Sequence, residues 1–222
     1  GGDLTVPSGS TLHGNVTRTF NSIIVNGNLT HYSNSTVETY KLNYTSNTNI
    51  TINGSVNVNE RGFYDGEGPG AGEDGHSGSG GAGYGGAGGN GETRAGGGTY
   101  GDEYAPDRIG SGGGHYGWHA GHGGGAVKMT ANNGTITVDG TISANGGYGG
   151  STDSHNVCGG GSGGSIWLVS DTIAGNGDIT ANGGNTRDDS DDGGGGGGGR
   201  IAIYFTYNNS DFSTLTVNGG AG

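Results

Sequence analysis

The chain has few of the residues that build an ordinary hydrophobic core. Ile, Leu, Val and Phe account for 33 of its 222 residues, while glycine alone accounts for 59. With a net charge of −12, an apolar content below about 20% favours disorder. The apolar residues are nevertheless concentrated in short segments of alternating polarity, such as NITINGSVNV at 49–58. Because such alternation is typical of strands, we expect ordered β-structure.

Other shortages exclude whole classes of protein. Three prolines without a sustained Gly-X-Y triplet exclude collagen, and no apolar run approaches a membrane-spanning length. Eight basic against 20 acidic residues leave no basic surface for nucleic acid. The single cysteine, Cys158, cannot form an internal disulfide; we expect an inert thiol, with an intermolecular bridge as the alternative. Since initiator Met and signal peptide are both missing, we expect a mature product or part of a longer protein.

The most informative feature that is present is a unit written three times. GGAVKM at 124–129, GGSIWL at 163–168 and GGRIAI at 198–203 each lead from glycine into a strand-like segment. Each is followed by a second such segment that ends in Asn-Gly-Gly: TISANGG at 141–147, DITANGG at 178–184 and LTVNGG at 215–220. The units start 39 and then 35 residues apart. Constant strands separated by variable glycine-rich stretches are typical of stacked repeats.

These patterns predict an all-β fold, and we expect a parallel β-helix (β-solenoid) with long glycine-rich loops. A β-sandwich or another antiparallel arrangement is the alternative. Composition divides the chain into a Thr- and Asn-rich strand region at 1–60, a Gly, Tyr and His insert at 61–125, and three repeats at 126–222, within one continuous domain. Asn-Gly or Asp-Gly pairs recur at strand ends, where we expect tight corners with positive φ. They lie at Asn26, Asn53, Asp139, Asn182 and Asn218.

The glycine runs themselves have two interpretations. Polyglycine can adopt an extended threefold conformation without internal hydrogen bonds, and several such segments could lie side by side and bond one another. Tight irregular loops are the alternative. The runs are Gly78–Gly91, Gly110–Gly125, Gly159–Gly164 and Gly193–Gly199.

The chain resembles glycine-rich repeat proteins of cell surfaces, which include adhesin-like and filament-forming proteins predicted to be parallel β-helices. The resemblance is carried by TISANGGYGG at 141–150, GGGSGGSIWL at 159–168 and GGGGGGGRIAIYF at 193–205. It covers about the last hundred residues, and the N-terminal region only in style. A weaker resemblance is to phage tail-tip adhesins with polyglycine lattices. The resemblance implies an extracellular structural role and no catalytic residue.

Asparagine sequons are the strongest local signal. Asn-x-Ser/Thr accepts an N-linked glycan if the chain passes through a glycosylating secretory route, whereas chance in an Asn- and Thr-rich chain is the alternative. Six of the eight sequons fall in the first 55 residues, which predicts a sugar-coated face. The eight acceptors are Asn15, Asn28, Asn34, Asn43, Asn49, Asn53, Asn133 and Asn208.

Metal sites are weaker hypotheses. His115, His119 and His122 could hold a transition metal, although unmetallated loop histidines are the simpler interpretation. Clustered carboxylates could bind Ca²⁺, although solvated acidic loops are the default. The carboxylates lie in two groups: Asp188, Asp189, Asp191 and Asp192, and Asp65, Glu67, Glu73 and Asp74.

No constellation predicts an enzyme, because the carboxylates fall in loops and no nucleophile, base or phosphate-binding motif emerges. We expect a glycosylated structural subunit of an extracellular filament, sheath or adhesin stalk, which associates with copies of itself end to end. Joined ends would read NGGAGGGDLTV, a continuation of the glycine-to-strand pattern. The alternative is an adhesin tip whose glycine loops bind a receptor or surface glycans, with the tyrosines stacking on sugars.

Overall fold

The computed structural model describes residues 1–117, 119–151, 157–186 and 192–222. Within these ranges the secondary structure consists of fifteen strands, most of them short. Their brevity follows from the sequence, since glycine or Asn-Gly interrupts nearly every alternating segment. The strands are β1 (Leu4–Val6), β2 (Thr11–Gly14), β3 (Thr17–Phe20), β4 (Ile23–Val25), β5 (Asn28–His31), β6 (Leu42–Ser46), β7 (Ile50–Ile52), β8 (Ser55–Asn57), β9 (Ala126–Val138), β10 (Thr141–Ser143), β11 (Ser165–Gly175), β12 (Asp178–Thr180), β13 (Arg200–Tyr204), β14 (Tyr207–Ser210) and β15 (Thr214–Thr216).

All the strands pair in parallel and form two sheets. One sheet has six strands in the order β2-β5-β8-β10-β12-β15. The other has nine strands, in which the long β9 pairs with both β6 and β7, and the long β11 pairs with both β13 and β14. The nine-stranded sheet therefore contains two rows: β3-β6-β9-β11-β13, and β1-β4-β7-β9-β11-β14.

The register places like residues on like residues. In the six-stranded sheet, Ile142 pairs with Val56 on one side and with Ile179 on the other. In the nine-stranded sheet, Ile136 lies between Ile50 and Ile173. These side chains are buried in one hydrophobic core. Alternation along each strand therefore directs a few apolar residues inward, and their stacking explains how a chain with little apolar content is ordered.

The predicted β-helix is wrong. The hydrogen-bonded strands form two parallel sheets of short strands, one of nine and one of six, in a sandwich-like arrangement, and the described residues do not form a closed solenoid. The hydrogen-bonded ladders are interrupted where the chain passes between sheets and where glycine-rich segments leave them. The structure is closer to the sandwich alternative, except that its sheets are parallel and not antiparallel.

The first and third compositional regions share both sheets. Strand β9 of the third region pairs with β6 and β7 of the first, and β10 pairs with β8. Residues 58–125, which separate β8 from β9, contain no strand in the part that the structure describes.

The predicted positive φ at the Asn-Gly corners is also wrong. Among the described residues, non-glycine positive φ occurs at Glu60, Ser77 and Asn133, outside all five predicted corners. At four of the five corners, all except Asn218-Gly219, glycine is required for a different reason, which is close stacking. A Cβ on Gly140 would meet the carbonyl of Gly54.

The glycine runs pack beside one another and bond through their backbones. Gly161 N–H donates to the Gly147 carbonyl at 3.0 Å, Gly184 N–H to Gly161 at 2.8 Å, and Gly196 N–H to Gly184 at 2.9 Å. A Cβ on Gly196 would meet the Gly161 carbonyl, so only glycine permits this approach. We call these segments the glycine layer; they comprise 62–117, 119–125, 145–150, 159–164, 181–184 and 193–199.

Candidate assembly surfaces and glycan sites

The C-terminal end of the sheets presents an apolar groove. Among the described residues, its strands β13 and β14 pair with β11 alone, and β15 pairs with β12 alone. The groove has a volume of about 500 Å³, and Phe205, Leu215 and Val217 at its rim are about half exposed. The other lining residues are Ile173, Ile201, Ile203, Asn208, Ser210, Phe212 and Thr216. This end therefore leaves both backbone groups and apolar side chains uncovered.

The N-terminal end has a smaller groove of about 280 Å³. In the part of the chain that the structure describes, β1 pairs only with β4, β2 only with β5 and β3 only with β6. The lining includes apolar residues such as Leu4 and Leu12, and it also includes Arg18 and Asn15. Association at the chain ends is expected from the sequence, but neither groove could be predicted from it.

The two ends present their strands in matching rows. Strands β3 and β13 are the two ends of one row of the nine-stranded sheet, β1 and β14 are the ends of its other row, and β2 and β15 are the ends of the six-stranded sheet. Because every pairing is parallel, the strands at the two ends also run in the same direction. The C-terminal edge of one copy is therefore geometrically suited to continue into the N-terminal edge of another.

A ladder of asparagines follows the corner after the six-stranded sheet. The backbone N–H of Asn145 donates to Asn59 Oδ1 at 2.7 Å, that of Asn182 to Asn145 Oδ1 at 2.7 Å, and that of Asn218 to Asn182 Oδ1 at 2.8 Å. Each asparagine thus satisfies a backbone donor of the following repeat. The repeated ANGG at 144–147 and 181–184 is the sequence signal for this ladder, although by itself the motif predicts only a turn.

The sequons differ in accessibility. The side chains of Asn15, Asn49, Asn53, Asn133 and Asn208 are exposed, whereas Asn28 and Asn43 are half-buried.

Asn34 is buried, and its amide is fully engaged. Its Nδ2 donates to the carbonyls of Tyr40 and Arg61 at 2.9 and 2.8 Å, and its Oδ1 accepts the N–H groups of Thr39 and Tyr40. A glycan on Nδ2 would have to break these bonds. The folded protein therefore does not offer Asn34 as an acceptor, and its amide instead holds the loop between β5 and β6.

The predicted metal-binding histidines are divided between two carboxylates. His119 Nδ1 and His122 Nε2 lie 3.3 and 2.9 Å from the oxygens of Asp65, and His115 Nδ1 lies 3.2 Å from Asp74. Burial raises the pKa of Asp65, but hydrogen bonds from His122 and His119 outweigh this effect, so that its pKa lies below the ordinary value.

Within the described ranges, no group of three or more His, Cys, Asp or Glu residues is placed to hold a metal ion. Asp188, Asp189 and Asp191 lie outside the described residues. Asp192 is exposed, and its backbone carbonyl accepts the Glu92 N–H at 2.9 Å. The structure thus supplies no observation in favour of the transition-metal or the calcium hypothesis.

Cys158 directly precedes the 159–164 segment of the glycine layer. Its side chain is buried, and its backbone N–H donates to the Gly150 carbonyl at 2.9 Å. A bridge from this position to a second chain would require the surrounding segments to separate.

Comparison of the chain with protein-family models, curated proteins and solved structures finds no match. In the described part of the chain, no helix has the length and apolar character needed to cross a bilayer.

Proposed function

We propose that this protein is a structural subunit of an extracellular filament, sheath or adhesin stalk, that it is glycosylated, and that copies associate head to tail through the two grooved ends. The observation that carries the proposal is the match between the ends. Three strands at each end occupy the same rows and run in the same direction. Such a contact is heterologous, and it produces an open polymer when it does not close into a ring.

The internal registers specify how the contact would be aligned. Continuing each row adds β3 to β13, β1 to β14 and β2 to β15 of the preceding copy. Leu12 would then follow Leu215, in the column that contains Leu29, Val56, Ile142 and Ile179. The asparagine ladder extends as well, since Asn218 Oδ1 would accept the N–H of Asn15.

Strand pairing and burial of apolar surface both favour this contact over uncovered ends. Unpaired edge strands with apolar residues template further pairing, and covering them removes apolar surface from water. Arg18 lines the N-terminal groove and is exposed. Two N-terminal ends would bring like charges together, whereas a C-terminal groove presents no such charge among its lining residues. The arrangement therefore disfavours head-to-head contacts.

The test is a charge placed at the C-terminal rim. Val217→Lys introduces a charge beside the groove, and Val37→Lys makes the same change at an exposed position outside the strands. We expect sedimentation and electron microscopy of the unglycosylated proteins to show assembly of the wild type and of the Val37 variant, and loss of assembly by the Val217 variant. An unglycosylated wild type that stays monomeric at high concentration, or a Val217 variant that assembles normally, would contradict the proposal.

The alternative function, an adhesin tip, is favoured by a separate observation. Tyr104, Tyr116 and Tyr148 are exposed on or beside the glycine layer, at 70%, 47% and 55% of their surface. Tyrosine rings on a rigid support suit stacking against sugars or a receptor. On this function, Tyr104→Ala with Tyr148→Ala would abolish binding on a glycan array and leave assembly unchanged.

A further inference from the structure

The sequon at Asn208 occupies core positions of the last repeat. Asn208 pairs with Ile173, which pairs with Ile136, which pairs with Ile50. All three isoleucines are buried, and Asn208 is the polar residue in this column. Ser210 pairs with Gly175, which packs against Val138 in the column of Val25 and Ile52. The two residues that define the sequon thus continue columns that are apolar in the inner strands.

The hydrogen bonds within this sequon do not involve Nδ2 of Asn208, the nitrogen that would accept a glycan. The Ser210 N–H and hydroxyl both donate to Asn208 Oδ1, at 2.9 and 2.7 Å. Both bonds use the amide oxygen, whereas a glycan is attached to Nδ2. Asn208 is exposed and lines the C-terminal groove.

The N-terminal end has a sequon that corresponds to the one at Asn208. Asn15 is exposed, begins a sequon with Thr17, and lines the N-terminal groove. It follows Gly14, which pairs with His31, and continuing the register places it at the corner that Asn59, Asn145, Asn182 and Asn218 occupy in later repeats. On the proposed alignment, Asn15 lies against Asn218 of the preceding copy.

We propose that N-linked glycans on Asn208 and Asn15 cap the two ends and stop head-to-tail growth. This inference rests on the proposed function and adds its regulation. A branched oligosaccharide is bulky and hydrated, and at either position it occupies the space that the next copy needs. A subunit with one modified end can add copies only at its other end, so site occupancy sets polymer length.

The modification requires an activated sugar donor of the secretory route. The Nδ2 nitrogen forms a bond to the anomeric carbon of the oligosaccharide, while the bond from that carbon to the donor's diphosphate breaks. The diphosphate leaves with the electron pair, and Nδ2 releases one proton. Nothing else in the chain changes.

Sequon variants that keep both asparagines test the inference. Thr17→Val with Ser210→Ala removes the two end sequons, and Thr51→Val removes the Asn49 sequon on the inner strand β7 as a matched control. All proteins would be secreted from a glycosylating host, mapped for occupancy by peptide mass spectrometry, and measured for polymer length by electron microscopy. Wild-type protein from a bacterial cytosol provides the unglycosylated reference.

We expect Asn15 and Asn208 to be occupied in the secreted wild type, which then forms short particles, as does the Thr51 variant. The double variant and the bacterial protein are expected to form long filaments. Unmodified Asn15 and Asn208, or equal lengths for the secreted wild type and the double variant, would overturn the inference while the proposed function stands. Failure of the unglycosylated bacterial protein to assemble would instead overturn the proposed function.

Discussion

In the two sheets, buried side chains such as Leu168 and Ile142 meet across a core, whereas in the glycine layer the backbones themselves meet. The sheets are stabilised by removing apolar surface from water. The layer is stabilised by hydrogen bonds between adjacent segments, at spacings that exclude a Cβ. Substitution by alanine should therefore destabilise the two regions for opposite reasons: it removes packed atoms from the sheets and adds an atom to the layer. Side-chain size can vary in the sheets within limits, but it cannot vary in the layer.

The largest expected effect is the loss of a core side chain. Leu168 is fully buried between sheet neighbours, so Leu168→Ala should reduce the free energy of unfolding by about 4 kcal/mol through lost burial and a cavity. Leu168→Met keeps the volume and should cost less than about 1.5 kcal/mol. Urea denaturation followed by circular dichroism measures both. Equal losses for the two variants would show that the core depends on exact shape.

The next effect comes from adding a single methyl group to the glycine layer. A Cβ on Gly97 would meet the Gly70 carbonyl, whereas a Cβ on its neighbour Gly98 meets nothing within 4 Å. We expect Gly97→Ala to cost about 3 kcal/mol through overpacking, and Gly98→Ala to be nearly neutral. Thermal unfolding of the pair provides the comparison. If both variants unfold like the wild type, the close packing of the layer does not contribute to stability.

The third prediction concerns His31, which joins the two regions. Its Nδ1–H donates to the Tyr32 carbonyl at 2.7 Å, and its Nε2 accepts the N–H of Ala126, where the chain leaves the layer for β9. Burial lowers the pKa of His31 from 6.5 to about 4; Arg61 and His13 add to this effect, and the Tyr32 carbonyl opposes it. The bond from Ala126 requires an unprotonated Nε2.

Acidification should therefore weaken this junction. The unfolded chain binds the proton first, so the contribution of neutral His31 is complete above about pH 6.5 and is lost as the pH falls toward 4, by up to about 3 kcal/mol. Denaturant unfolding at several pH values measures this slope. His31→Gln cannot titrate and should flatten it, while His13→Gln on the exposed surface serves as the control. An unchanged slope in the His31 variant would assign the acid sensitivity to other groups.

Several features could be predicted from residues alone. Alternation in NITINGSVNV and in the three repeat units predicts strands there, and the structure has β7–β13 and β15 at those segments; β14 lies outside them. The repeat also predicts that its copies stack, because the same strand segments recur although the glycine-rich stretches between them differ in length. The sequons could be listed from the sequence but not ranked by accessibility, since the burial of Asn34 depends on a partner 27 residues away, Arg61.

Local alternation and composition are enough to predict that the protein is β-structured and acidic, with a core confined to a few inward residues per repeat. The folded chain was needed to find that the strands form two parallel sheets, that glycine runs distant in the chain bond one another, and that two sequons lie in the end grooves. These features could not be predicted because backbone hydrogen bonds between segments carry no side-chain pattern. A glycine run is compatible with many neighbours until the sheets bring particular segments together.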